Sequence, residues 1–169
     1  GASHTCVLAD ARPYCWGSNL SGQVGDGTTT DRSEPGAVWS AAGGIAGKAV
    51  TALVAGIFHT CVVADGQPYC WGRNAEGQLG DGTNTQRTIP WPVDTSGALA
   101  ARPVTAISAA FHTCVVADAK PFCWGNNAFG QIGDGTQTER ALPSLVSITG
   151  VLGGRSVHAI SAGKYHTCA

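Results

Sequence analysis

The tripeptide His-Thr-Cys occurs four times, at His4-Thr5-Cys6, His59-Thr60-Cys61, His112-Thr113-Cys114 and His166-Thr167-Cys168. Nine residues after each of the first three thiols stands a second one, in Cys15-Trp16-Gly17, Cys70-Trp71-Gly72 and Cys123-Trp124-Gly125. An imidazole and two thiols per copy could hold zinc, whereas two thiols alone can close a disulfide or stay reduced in a core. Structural zinc sites space their paired cysteines by about two to four residues, so the wider spacing here favours the disulfide. Asp26, Asp81 and Asp134 sit in Gly-Asp-Gly-Thr without the alternating ladder of oxygen ligands that calcium requires, and read as turn formers. G-x-S-x-G, H-E-x-x-H and C-x-x-C-H are all missing from the chain, and no carboxylate pair stands out. The glycine-rich stretches do not lead into a helical pattern, which argues against a phosphate cradle. A feature copied into every repeat is usually architecture. On that reading each histidine bonds a neighbouring backbone carbonyl, and Trp16, Trp71 and Trp124 pack between repeats. A metal role for the histidines stays open as an alternative.

The elements that must position these groups can be worked out from the second copy. Asp65-Gly66 lies midway between Cys61 and Cys70, and Asp-Gly is a strong signal for a two-residue hairpin turn. That turn pairs Ala64 with Gln67, Val63 with Pro68, Val62 with Tyr69 and Cys61 with Cys70. Hydrogen-bonded and open pairs alternate along the ladder, so Pro68 falls where its missing N–H is not needed. The two cysteines also fall at an open pair, with Cα atoms about 4.5 Å apart, near the lower limit for a disulfide. The same register joins Cys6 to Cys15 and Cys114 to Cys123 around Asp10-Ala11 and Asp118-Ala119. A staple closing so short a loop is worth roughly 2–3 kcal/mol by chain entropy. Cys168 is the odd seventh cysteine. Thr60, Val62, Tyr69 and Trp71 form one face of the hairpin, and Cys61, Val63, Pro68 and Cys70 the other. Both are largely apolar, so sheets must stack on both sides of it.

Each Cys-Trp-Gly runs into Asn, two variable residues and Gly-Gln-(Val/Leu/Ile)-Gly-Asp-Gly-Thr, at Asn19 to Thr28, Asn74 to Thr83 and Asn127 to Thr136. An Arg and then a Pro follow at fixed distances, at Arg32 and Pro35, Arg87 and Pro90, and Arg140 and Pro143. The histidines are spaced by 55, 53 and 54 residues. Repeats of approximately 1–55, 56–108 and 109–162 follow, with 163–169 opening a fourth. The chain begins and stops at one phase of the repeat and holds no Met, which reads as a segment of a longer array. With 24 Gly and 8 Pro in 169 residues, turn-rich β structure is expected and long helices are not. Charged residues are 12% against 43% apolar, so the chain should fold. A net charge of −1 with scattered signs offers no footprint for nucleic acid, and no apolar run is long enough to span a membrane.

These in-phase copies closely resemble the regulator of chromosome condensation repeat, and the cysteine-bearing form resembles that of bacterial extracytoplasmic proteins. The resemblance covers essentially the whole chain. It implies an all-β β-propeller, of about seven four-stranded blades in complete members, of which this chain supplies about three. Members of the family include exchange factors for a small nuclear GTPase and bacterial protein inhibitors of β-lactamase, both acting through propeller faces. The expectation is a non-enzymatic scaffold binding a protein or glycan partner, with no cofactor. Its neighbours would be further repeats of the same chain or another copy of the segment. Disulfides persist in oxidising compartments, which points to a secreted or cell-surface protein. An exchange-factor-like regulator and a metal-binding or hydrolytic domain are the alternatives; His158 is the one conspicuous residue outside the repeat pattern that the latter could use. Individual function should lie where the repeats differ. In the loops these positions include Leu20, Arg73, Glu76 and Phe129, and in the linkers Trp39 and Trp91. Asn19-Leu20-Ser21 matches the glycosylation sequon.

Overall fold

A computed structural model describes residues 1–38 and 44–169, and Trp39 lies outside the described residues. The strands are β1 (His4–Ala9), β2 (Arg12–Gly17), β3 (Arg32–Ala37), β4 (Val50–Ala55), β5 (His59–Ala64), β6 (Gln67–Gly72) and β7 (Arg87–Pro92). They continue as β8 (Val104–Ala109), β9 (His112–Ala117), β10 (Lys120–Gly125), β11 (Arg140–Leu145), β12 (Ser161–Ala162) and β13 (Thr167–Cys168). The only helical element among the described residues is a short 3-10 turn at Gly150–Leu152. Among the described residues the strands form four antiparallel sheets, ordered β1-β2-β3, β4-β5-β6-β7, β8-β9-β10-β11 and β12-β13. This is an all-β stack of propeller blades. A repeat counted from His-Thr-Cys therefore spans three strands of one sheet and the first strand of the next.

The central hairpins carry the expected register. Cys61 lies opposite Cys70, Val62 opposite Tyr69, Val63 opposite Pro68 and Ala64 opposite Gln67, and the other two hairpins repeat the pattern. Asp65 and Gly66 both take positive φ, 50° and 73°, as a type I′ turn demands. Asp10-Ala11 and Asp118-Ala119 adopt the same left-handed pair without glycine. Three disulfides are closed, Cys6–Cys15, Cys61–Cys70 and Cys114–Cys123, each with Cα atoms 4.1 Å apart as the open ladder pair brings them. The outer strands β3, β7 and β11 carry Pro35, Pro90 and Pro143, which blunt a free sheet edge.

The two apolar hairpin faces find two different neighbours. Val62, Ala64, Tyr69 and Trp71 pack against Cys15 of the first sheet and against Val24 and Val38, which lie before and after its third strand. Cys61, Val63 and Cys70 pack the other way, against Val115, Ala117, Phe122 and Trp124 of the third. Each core therefore joins the disulfide face of one sheet to the tryptophan face of the next. Trp71 and Trp124 are fully buried. Gly80 lies against the Trp124 indole, where a Cβ would come within 2.6 Å of Nε1, and its φ of +72° favours glycine.

Candidate functional site

The repeated polar residues are engaged in holding one sheet to the next. The Thr113 hydroxyl donates to the main-chain carbonyl of Gln78 (2.8 Å), and the Trp124 indole N–H donates to that same carbonyl (3.0 Å). With its one hydrogen committed, the Thr113 oxygen accepts from His59 Nε2 at 2.8 Å, which fixes the proton of the neutral ring on Nε2. Thr60, Trp71 and Gln23 repeat this with His4, and Thr167 and Gln131 with His112. The histidine partner is thus a hydroxyl of the next repeat, whereas the sequence suggested a backbone carbonyl. Nδ1 of His4, His59 and His112 is buried with no hydrogen-bond partner. Burial holds these rings neutral, at about 4 for His4, about 3 for His59 and about 4 for His112. Charge on the neighbouring N-terminus or histidines adds to the effect. The sulfurs two residues on from His4, His59 and His112 are closed in disulfides, so the zinc reading loses its thiolates there.

The Asn-to-Thr loops are self-scaffolded. The Asn74 amide donates to Asp81 (3.1 Å) and to the carbonyls of Thr83 (2.9 Å) and Thr85 (3.0 Å), while its oxygen accepts from the Leu79 N–H. Asp81 accepts from the Thr83 amide and hydroxyl and from Arg87. Burial pushes the Asp81 carboxyl up, but the Thr83 and Arg87 hydrogen bonds outweigh it and hold the group below the usual carboxylate range. Asn19 and Asn127 serve the same purpose in their loops. Asn19 is fully buried, so its sequon is closed to modification in the folded chain.

What this framework leaves variable gathers at one end of the hairpins. The N–H groups of Ser18, Arg73 and Asn126 donate to the carbonyls of Ser3, Phe58 and Phe111, the residues that precede each histidine. Loop and turn therefore meet on one face. Phe58 and Phe111 lie 6.1 Å apart between ring centroids, Phe111 and Tyr165 stack at 5.8 Å, and Phe129 leans on Tyr165 at 4.9 Å. Arg73 covers the Phe58 ring and forms an ion pair with Glu76, and the Lys164 ammonium stands 4.9 Å from the Tyr165 centroid. Phe129 is 66% exposed. Of the residues singled out in the sequence, Arg73, Glu76 and Phe129 share this face. Leu20 is exposed in the first loop, and Trp91 sits on the outer strand β7 beneath Arg87. Cys168 is a free, exposed thiol, and His158 is exposed on the linker to the last sheet. Phe58, Phe111, Tyr165 and Lys164 were not among the sequence candidates. The signal for three of them is the column before His, which reads Ser3, Phe58, Phe111 and Tyr165.

Comparison with known proteins agrees with this architecture. The chain is 29% identical over 171 residues to the ultraviolet-B receptor UVR8 of Arabidopsis thaliana, covering 99% of this chain and 37% of the receptor. Human WBSCR16 superposes with a TM-score of 0.80 at 24% identity, over 97% of this chain and 41% of that one. Yeast RCC1 (Prp20), in its crystal structure with Kap60, superposes with a TM-score of 0.81 at 17% identity, over 99% of this chain and 40% of that one. The chain thus spans well under half the length of these relatives. Residues 10–63, 65–116 and 120–169 each match the regulator of chromosome condensation (RCC1) repeat, and the chain belongs to that family.

Proposed function

We propose that this chain is a non-enzymatic, extracellular β-propeller scaffold that binds a protein partner through the face carrying Arg73, Glu76 and Phe129. One observation carries the reading: the repeated side chains are engaged in the framework, while the variable ones form an aromatic and charged row on a single face. Such rows supply the rigid anchors that dominate protein interfaces. A pyranose stacks on an open ring face, and Phe111 and Tyr165 stack on each other at an interplanar angle of 14°, which favours a protein over a glycan. Yeast RCC1 (Prp20), which shares this fold, has been solved with Kap60 bound. Three closed disulfides support an oxidising compartment, hence a secreted or surface location. Lateral neighbours belong to the same reading. Val7 is 42% exposed where its counterparts Val62 and Val115 are fully buried, so a further repeat or a second copy would cover it.

The test is selection. The oxidised chain is panned against a displayed peptide library and a glycan array, beside the double variant Arg73→Ala, Phe129→Ala with its melting temperature checked. Enriched peptides should lose about tenfold or more in affinity on the variant. Retention of glycans alone, or of peptides indifferent to both changes, overturns the proposal.

A further inference from the structure

The charges on the aromatic row are unevenly satisfied, and this constrains the chemistry of what it meets. Arg73 is neutralised by Glu76, whose carboxylate accepts from both Nε and Nη2 of the guanidinium. Glu139 accepts from the Asn126 amide at 3.4 Å but has no cation within ion-pair distance among the described residues, so attraction for an acidic partner is confined to Lys164 and does not extend to the whole face. Lys164 has no carboxylate within ion-pair distance among the described residues, and its ammonium lies over two rings, 4.9 Å from Tyr165 and 5.9 Å from Phe111. Those two rings lie near-parallel, at an interplanar angle of 14°. The surface around Lys164 thus carries a cation that is held over aromatic rings and has no carboxylate partner among the described residues. Directly beside it Phe129, 66% exposed and inclined 59° to Tyr165, offers an apolar surface to pack against.

We infer that this row takes an acidic, apolar-anchored stretch of a protein partner, with a carboxylate at Lys164 and an apolar side chain against Phe129 and Tyr165. The inference rests on the protein-binding reading and names the chemistry of the partner. A basic stretch is repelled by Lys164, and a purely apolar one leaves the ammonium desolvated and unpaired.

Fluorescence anisotropy on the oxidised chain tests it with short labelled peptides alternating Glu with Leu, Gln with Leu, and Lys with Leu. Alginate serves as a carboxylate source of a different class. The Glu–Leu peptide should bind best, with the Gln–Leu peptide about tenfold weaker. Lys164→Glu should weaken Glu–Leu binding about tenfold, and Phe129→Ala by a similar factor. Arg12→Glu makes the same change in net charge at the opposite, turn end of the first hairpin and should leave binding unchanged. Equal binding of the Gln–Leu peptide, an equal effect of Arg12→Glu, or preference for alginate each overturns the inference. If library selection yields peptides that ignore Lys164, this inference alone falls. If it yields no peptides, the reading beneath it falls as well.

Discussion

Acidification should unlatch the sheets well above the pH at which carboxylates titrate. In the unfolded chain the histidines titrate near their ordinary value of about 6.5. In the folded chain His59 is held at about 3, and His4 and His112 at about 4. Burial is the main cause, since a proton on the buried Nδ1 would find no acceptor. Below pH 6.5 the unfolded chain therefore binds protons that the native chain does not. The stabilisation is fully present above pH 6.5 and is lost as pH falls toward the folded values. Linkage gives about 1.4 kcal/mol per pH unit per group, so each histidine costs about 2 kcal/mol at pH 5 and the three together about 6. A domain has only about 5–15 kcal/mol in all. Asp26, Asp81 and Asp134 are depressed, so their contribution is present above the ordinary carboxylate range and fades only on going below it. The window from pH 7 to 5 consequently belongs to the histidines rather than to these carboxylates.

Urea unfolding followed by tryptophan fluorescence at pH 7, 6 and 5 measures this directly, with Trp71 and Trp124 as buried reporters. His59→Gln supplies the control, because the Gln amide can still donate to Thr113 but does not titrate. It should remove about a third of the pH dependence, about 2 kcal/mol at pH 5. Stability that stays level between pH 7 and 5, or a variant that keeps the full slope, would refute the latch reasoning.

Gly80→Ala sets a Cβ against the Trp124 indole at a positive φ, and should cost roughly 3 kcal/mol or more. Gly135→Ala, at φ +82° with open space around it, should cost only about 1–2 kcal/mol in the same thermal melts. Under graded reductant, alkylation and mass spectrometry should find Cys6–Cys15 opened first, since Cys6 is half-buried whereas Cys61, Cys70, Cys114 and Cys123 are fully buried. Expression in a host that glycosylates sequons should leave Asn19 of the folded chain unmodified, because its amide hydrogens are given to the loop carbonyls; stoichiometric glycan there would refute the buried placement.

The hairpins could be read from sequence because their constraints are local. Asp65-Gly66 fixes the turn, the turn fixes the ladder, and the ladder decides which cysteines face each other. The two-faced burial of Val62 and Val63 follows from the same alternation. Contacts between sheets are a different matter. Gly80 and Trp124 meet only once successive repeats are stacked, and nothing near either residue names the other. The partner of His59 is a threonine of the following copy, a choice that depends on which sheet is the neighbour. The aromatic row was partly hidden for another reason. A search of loop and linker columns finds Arg73, Glu76 and Phe129, but it passes over the column before His because that column adjoins an invariant motif.

That adjoining column also explains part of the uneven spacing of the repeats, the remaining residue lying in the longer linker 38–49 as against 93–103. Three residues, Gly56, Ile57 and Phe58, join β4 to β5, whereas only Ala110 and Phe111 join β8 to β9. Both turns still close, with Gly56 N–H donating to His59 and Ala110 N–H to His112, each at 2.8 Å. Length can change there because the histidine is held from the far side, by a threonine of the next sheet, and needs nothing from the turn that precedes it. The hairpin between the cysteines has no such freedom, since one added residue would turn every following side chain to the wrong face. Variation in length and variation in side chain thus coincide at this end of each sheet. The latch that fixes the stack is what frees this end to carry the variable aromatic and charged row.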